Sequence, residues 1–211
     1  MGWLAAALAG LLLGLVIWRS FFLPGPIHGD LGLVRSDRQG LRVLFIGNSF
    51  TARNSMITMV RKLSETQSGG WPIFTVEYAP GGSTLRQAAR DGRLARLLEQ
   101  ERWNAVVLQE QSEIPGLPGY REQLMFPAAA QLDAMTRRVH ANTILFMTWG
   151  YEGGDRRIDP ADTYRAMQAR VEEGYLELRK RLPAAQLSPV GFAWGDVVQR
   201  RPSFGLWSAD G

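Results

Sequence analysis

Ser49 stands in a setting that could make its hydroxyl a nucleophile. It follows Leu41-Arg-Val-Leu-Phe-Ile-Gly-Asn48, in which Val43 to Ile46 is an unbroken apolar run closed by Gly47. That is the pattern of a strand buried on both faces. Met56, Ile57, Val60 and Leu63 then recur at helical spacing, with Asn54 as the expected N-cap. A serine on the turn between a buried strand and a helix faces the carboxyl end of the sheet, where open α/β folds take their ligands. Acyl transfer asks for such an oxygen plus two or three donors aimed at the developing oxyanion. Two later loops offer them. Ala79-Pro-Gly-Gly-Ser-Thr84 carries Gly81 and Gly82, whose N–H groups can approach a ligand closely, and Gln109-Glu-Gln111 carries side-chain amides. Read singly, the serine, the glycine pair and the glutamines are also ordinary turn and loop residues.

The three loops share an edge only if the strands before them run parallel. From Leu41 onward, apolar strands alternate with amphipathic helices. Strands are expected over 43–46, 73–77, 104–109, 143–148 and 187–190. An Arg-rich helix follows the second strand, with Arg86, Arg90, Arg93, Arg96 and Arg102 interleaved with leucines. Further helices are expected over 121–138, from an opening at Asp159-Pro160, and over 193–199. Alternation of this kind predicts an α/β fold in three layers, α/β/α, with a parallel sheet covered on both faces.

Composition bounds the chemistry. A chain of 211 residues makes one domain of ordinary size. The absence of cysteine excludes thiol catalysis and cysteine-based metal sites, and two histidines, His28 and His140, exclude a histidine-rich one, so no metal is expected. Both histidines are expected at the amino edge of the sheet, opposite Ser49. The arginine row on one helix reads as a solvated face, not a nucleic-acid surface. No Gly-x-Gly-x-x-Gly follows the first strand, which argues against a dinucleotide, and no cofactor is expected.

Trp3 to Trp18 is sixteen apolar or Gly residues, and the run resumes with Phe21-Phe22-Leu23. As a helix these residues would span about 31 Å, a bilayer core. There is no basic stretch before the run and no cleavage pattern before Pro24-Gly-Pro26, so residues 1–23 read as an uncleaved single-pass membrane anchor, 24–40 as a linker and 41–211 as the domain. Arg19, Arg35, Arg38 and Arg42 follow the span, and the positive-inside rule would put the domain in the cytoplasm.

Four blocks in order resemble the SGNH/GDSL hydrolase superfamily of serine esterases and lipases, from about Leu41 to Gly211. Phe45-Ile-Gly-Asn-Ser-Phe-Thr51 is similar to the nucleophile block, with Asn48 where many members have Asp. Pro80-Gly-Gly-Ser-Thr-Leu85 is similar to the second block, and Gly82 falls on its oxyanion glycine. Val106-Val-Leu-Gln-Glu-Gln-Ser112 is similar to the third, with Gln111 where most members carry Asn and Gln109 as runner-up. Trp207-Ser-Ala-Asp-Gly211 resembles the start of an Asp-x-x-His block, so Asp210 matches the triad Asp. The resemblance implies a flavodoxin-like sheet, an acyl-enzyme on Ser49, and an oxyanion hole from Ser49, Gly82 and Gln111. It also implies an extracytoplasmic domain acting on small-molecule or carbohydrate esters, acetyl esters among them. The family's His lies three residues after that Asp; the sequence given stops one residue after it, and a continuation reading x-His is expected. Two other readings use the same residues: Glu110 with Asp210 as a carboxylate pair for glycoside hydrolysis, and a non-catalytic ligand-binding module lacking the base.

Overall fold

The computed structural model describes residues 27–67 and 71–207. The elements follow in the order β1 (Ile27–Gly29), α1 (Leu31–Val34), β2 (Leu41–Ile46), α2 (Ser49–Ala52), a 3-10 turn at Arg53–Ser55, α3 (Met56–Thr66), β3 (Ile73–Tyr78), α4 (Leu85–Arg90) and α5 (Gly92–Gln100). Then come β4 (Ala105–Leu108), a 3-10 turn at Ile114–Gly116, α6 (Pro118–Tyr120), a π-helical turn at Arg121–Met125, α7 (Phe126–Arg138), β5 (Asn142–Phe146), α8 (Tyr164–Arg181), β6 (Gln186–Ser188) and α9 (Val190–Arg200). The sheet order is β1-β3-β2-β4-β5-β6. β2 to β6 are mutually parallel, and the order 2-1-3-4-5 of these five strands is the flavodoxin-like one. β2 is central, and the order reverses beside it.

Strand side chains alternate between two cores. Leu44 and Ile46 of β2 join the larger one, with Val106 and Leu108 of β4 and the buried faces of α4, α5, α7 and α8. Val43, Phe45, Val107 and Phe146 face the other way, against Ile57 of α3 and Val190 of α9. The expected strands and layers are therefore present, with ends moved by one or two residues.

Four local expectations give way. The Arg-rich helix is two helices, because the Asp91 carboxylate accepts the N–H of Arg93 (2.8 Å) and caps α5 as a new start. The helix expected to open at Asp159-Pro160 begins at Tyr164, where the Thr163 hydroxyl accepts the N–H of Ala166 (3.3 Å). Asn54 does not cap α3; it and Ser55 both take left-handed backbone (φ 57 and 54), reversing the chain after α2. Part of the stretch read as a linker is structured, since β1 pairs antiparallel with β3 and Val34 is buried.

That antiparallel strand also corrects His28. Its partner is Glu77, near the carboxyl end of β3, so His28 lies toward the same edge as Ser49 and borders a cavity of about 270 Å³ with Thr51, Ala52 and Arg61. His140 precedes β5 and sits at the amino edge, as expected. Among the described residues no helix is long and apolar enough to cross a membrane; the run expected to do so, 1–23, lies outside them.

Candidate active site

The nucleophile turn is fixed from below by a lattice of buried amides. Asn48 is the N-cap of α2: its Oδ1 accepts the N–H of Phe50 (3.1 Å), and its Nδ2 donates to the carbonyl of Ser83 (3.0 Å). Its Oδ1 also accepts from Gln109 Nε2 (3.1 Å), and its own N–H donates to Gln109 Oε1 (3.1 Å). Gln109 Oε1 further accepts the hydroxyl of Thr51 (2.9 Å), and Ser83 Oγ donates back to the carbonyl of Gly47 (2.7 Å). Residues after three adjacent strands, β3, β2 and β4, are thus tied into one unit. Ser49 opens α2 above it, partly exposed. Among the described residues neither its hydroxyl nor its N–H has a hydrogen-bond partner, which leaves both to face a ligand.

Gly47 has no room for a side chain. A Cβ there would stand 2.3 Å from Thr51 Oγ1 and 2.6 Å from Gln109 Oε1. Gly47→Ala is therefore expected to push the Gln109 amide out of the lattice, destabilising the fold by about 2 kcal/mol and lowering activity more than that loss explains. Urea unfolding and turnover, measured side by side, check both parts.

Gly82 owes its place to backbone conformation: φ is +69°, in the left-handed region, while a Cβ would meet nothing within 4 Å. The carbonyl-to-amide turn holds Gly82 on the surface, and its N–H has no acceptor among the described residues. Directly behind it Thr84 closes a capping box with Gln87, which fixes the start of α4.

The two glutamines separate cleanly. Gln109 is 1% exposed and its amide nitrogen is committed to Asn48 Oδ1 and the Glu110 carbonyl. Gln111 is only partly buried. Its Oε1 accepts the N–H groups of Glu113 (2.9 Å) and Ile114 (3.2 Å), and its Nε2 makes one long contact, 3.4 Å, to Ser112 Oγ. The oxygen end is anchored in the turn and the nitrogen end is left with donor capacity.

Glu110, the loop carboxylate that a glycosidase pair would place on an open cleft, faces neither a cleft nor water. It is 0% exposed, and its Oε1 accepts the N–H groups of Leu85 (3.1 Å) and Gln111 (2.7 Å). Burial pushes its carboxyl up to about 7, against the pull of those two amides. A carboxylate so enclosed does not fit one half of a glycosidase pair flanking an open cleft.

Sequence reasoning missed the aromatic wall beside Ser49. Phe50 stacks on Trp149 (4.9 Å), Trp149 on Trp194 (4.0 Å), and Trp207 meets Trp194 edge-on (5.8 Å). Trp207 Nε1 donates to the carbonyl of Gly150 (3.1 Å), so the last described residue is held near the start of the loop after β5. Asp210, three residues on, lies outside the described residues. The signal available was Trp149-Gly150 directly after a strand, but an isolated Trp does not announce its partners. Among the described residues no cluster of His, Asp or Glu could hold a metal ion.

The chain matches no family model and no curated protein. Solved structures do resemble it. A proposed SGNH hydrolase from Slackia heliotrinireducens aligns with a TM-score of 0.62 at 23% identity, over 74% of this chain and 83% of that one. A DUF4886 family protein from Bacteroides uniformis aligns with a TM-score of 0.62 at 16% identity, over 74% and 70%. An acetylxylan esterase from Geobacillus stearothermophilus aligns with a TM-score of 0.54 at 17% identity, over 76% and 81%. At these identities the likeness is one of fold, and the fold is that of SGNH hydrolases.

Proposed function

We propose that this protein is a serine ester hydrolase of the SGNH kind, acting through an acyl-enzyme on Ser49. The observation that carries the reading is the lattice around Asn48 and Gln109, which holds the loops of Ser49, Gly82 and Gln111 at one edge of the sheet. In this reading the Ser49 and Gly82 N–H groups and Gln111 Nε2 receive the oxyanion, a preorganised arrangement that strengthens as charge develops. Asp210 would orient the histidine that the family pattern puts three residues beyond it, and that histidine would take the Ser49 proton as the hydroxyl attacks the acyl carbon and return it to the departing alcohol. Water then repeats the cycle on the acyl-enzyme.

The substrate class we assign is acyl or acetyl esters of carbohydrate. The acetylxylan esterase among the structural neighbours supports it, as does an edge that opens beside an aromatic wall. Residues 1–23 would anchor the domain to a membrane, with the domain on the extracytoplasmic side.

The oxyanion assignment is tested by the two glutamines. Gln111→Ala is expected to lower kcat about 10²-fold with little change in KM, without loss of stability beyond its turn contacts. Gln109→Ala is expected instead to unfold the protein more easily, because it strands the buried Asn48 N–H and Thr51 hydroxyl and removes one of the two donors to Asn48 Oδ1. Turnover of p-nitrophenyl acetate and urea unfolding separate these effects. A kcat loss at Gln109 in a protein of unchanged stability, with none at Gln111, would reverse the assignment.

A further inference from the structure

Glu110 is a buried ionisable group that the proposed chemistry does not use. Its Oε1 serves two backbone amides, and its Oε2, also buried, has no partner among the described residues. Packing alone would be met by a Leu or Met of similar volume. A carboxylate held there costs desolvation, more so with one oxygen unpaired. The groups it joins explain what that cost offsets. Leu85 is the first residue of α4, three after Gly82, and Gln111 carries the side-chain amide of the opposite loop. β2, which delivers Ser49, lies between β3 and β4 in the sheet. One oxygen therefore spans the end of the nucleophile strand. The Glu110 N–H meets Tyr175 Oη of α8 (3.2 Å), which fixes the main chain from which the side chain reaches across.

We propose that Glu110 is a positioning residue: its Oε1 ties the Gly82 loop to the Gln111 loop across the end of β2 and so sets the spacing of the two oxyanion donors about Ser49. Its catalytic meaning rests on the esterase reading, while the tie itself is a property of the loops and is tested apart from turnover. A displacement of about 1 Å in such a donor is enough to cost about 10²-fold in rate.

Two substitutions in the full-length protein decide the matter. Glu110→Met keeps the volume and removes the acceptor; Glu110→Gln keeps an acceptor oxygen and removes the charge. In Glu110→Met, amide hydrogen exchange is expected to rise at least about tenfold in both 80–85 and 109–113, together, with α8 and β5 unchanged. kcat should fall about 10²-fold with KM within a few-fold, and Glu110→Gln should restore both readouts. Exchange that stays at the wild-type rate, that rises in one loop only, or that rises throughout the chain overturns the tie. Faster exchange in both loops with kcat unchanged overturns the positioning role. If Glu110→Met does not fold, Glu110→Ala takes its place, and failure of both to fold while Glu110→Gln folds with wild-type kcat assigns Glu110 to the fold alone. A wild-type protein that turns over no ester refutes the esterase reading; exchange then still decides the tie.

Discussion

Ser49→Ala is expected to lower kcat for p-nitrophenyl acetate by about 10⁴-fold or more in the full-length protein, while urea unfolding stays unchanged. The large loss follows because an acyl-enzyme needs that oxygen, and what remains is the acceleration from oxyanion donors and binding alone. The unchanged stability follows from the structure. The Ser49 hydroxyl makes no hydrogen bond among the described residues, and the turn is held by Asn48, Ser83 and Gln109. Alanine is also a good residue at the first position of a helix. The pairing of a severe kinetic effect with a silent structural one is the test. A variant within a few-fold of wild type removes Ser49 from the chemistry, and a variant that unfolds more easily shows that the hydroxyl has a structural partner.

The second large effect is a stability that falls as pH rises. The Glu110 carboxyl is raised from 4.5 to about 7 in the folded protein, chiefly by burial. No cation contributes to that shift. The titratable group facing it is Tyr175 of α8, itself pushed up by burial and neutral across this range. A group whose folded value lies above its unfolded one binds its proton more tightly when folded. Its contribution is therefore fully present below about 4.5 and is lost as pH rises through about 7. A shift of this size amounts to about 3 kcal/mol. Glu110→Gln removes the titration: the variant should match wild type near pH 4 and exceed it by about 3 kcal/mol at pH 8. Urea unfolding at a series of pH values reads this directly. A gap that does not widen between pH 5 and pH 8 refutes the assignment of that loss to Glu110.

The parts of this structure that show in the sequence are those written by side-chain periodicity. Val43 to Ile46 has the pattern of a strand buried on both faces, and the turn after it, with the glycine pair and the glutamine loop, pointed to a common edge. What did not show depends on partners that no pattern encodes. Ile27-His28-Gly29 lacks the alternation of a strand because β1 is an edge, paired on one side only. Asp91 and Thr163 reset helix starts through single capping bonds, which outweighed the Arg-Leu periodicity and the proline. Gln109 and Gln111 are the same residue type two positions apart. Only the register of β4 decides that one is locked beneath the turn while the other keeps its nitrogen available. Glu110 was unreadable for a related reason, since both of its donors are main-chain amides, which are silent in any sequence.

The place where β1 enters the sheet would set the length of a tether if residues 1–23 sit in a bilayer. Ile27 lies opposite Tyr78, and Tyr78 opposite Ile46, so the chain joins the sheet at its carboxyl edge, two strand spacings (about 10 Å) from the strand that delivers Ser49. Four residue steps separate Leu23 from Ile27, and four steps reach at most about 14 Å. A bilayer that takes up the apolar run therefore keeps the working edge of the sheet within a few nanometres of its surface. The domain would then be leashed by the edge that carries Ser49. Esters carried on lipids, or on polymers lying against the membrane, would meet Ser49 at a local concentration that freely diffusing esters do not reach.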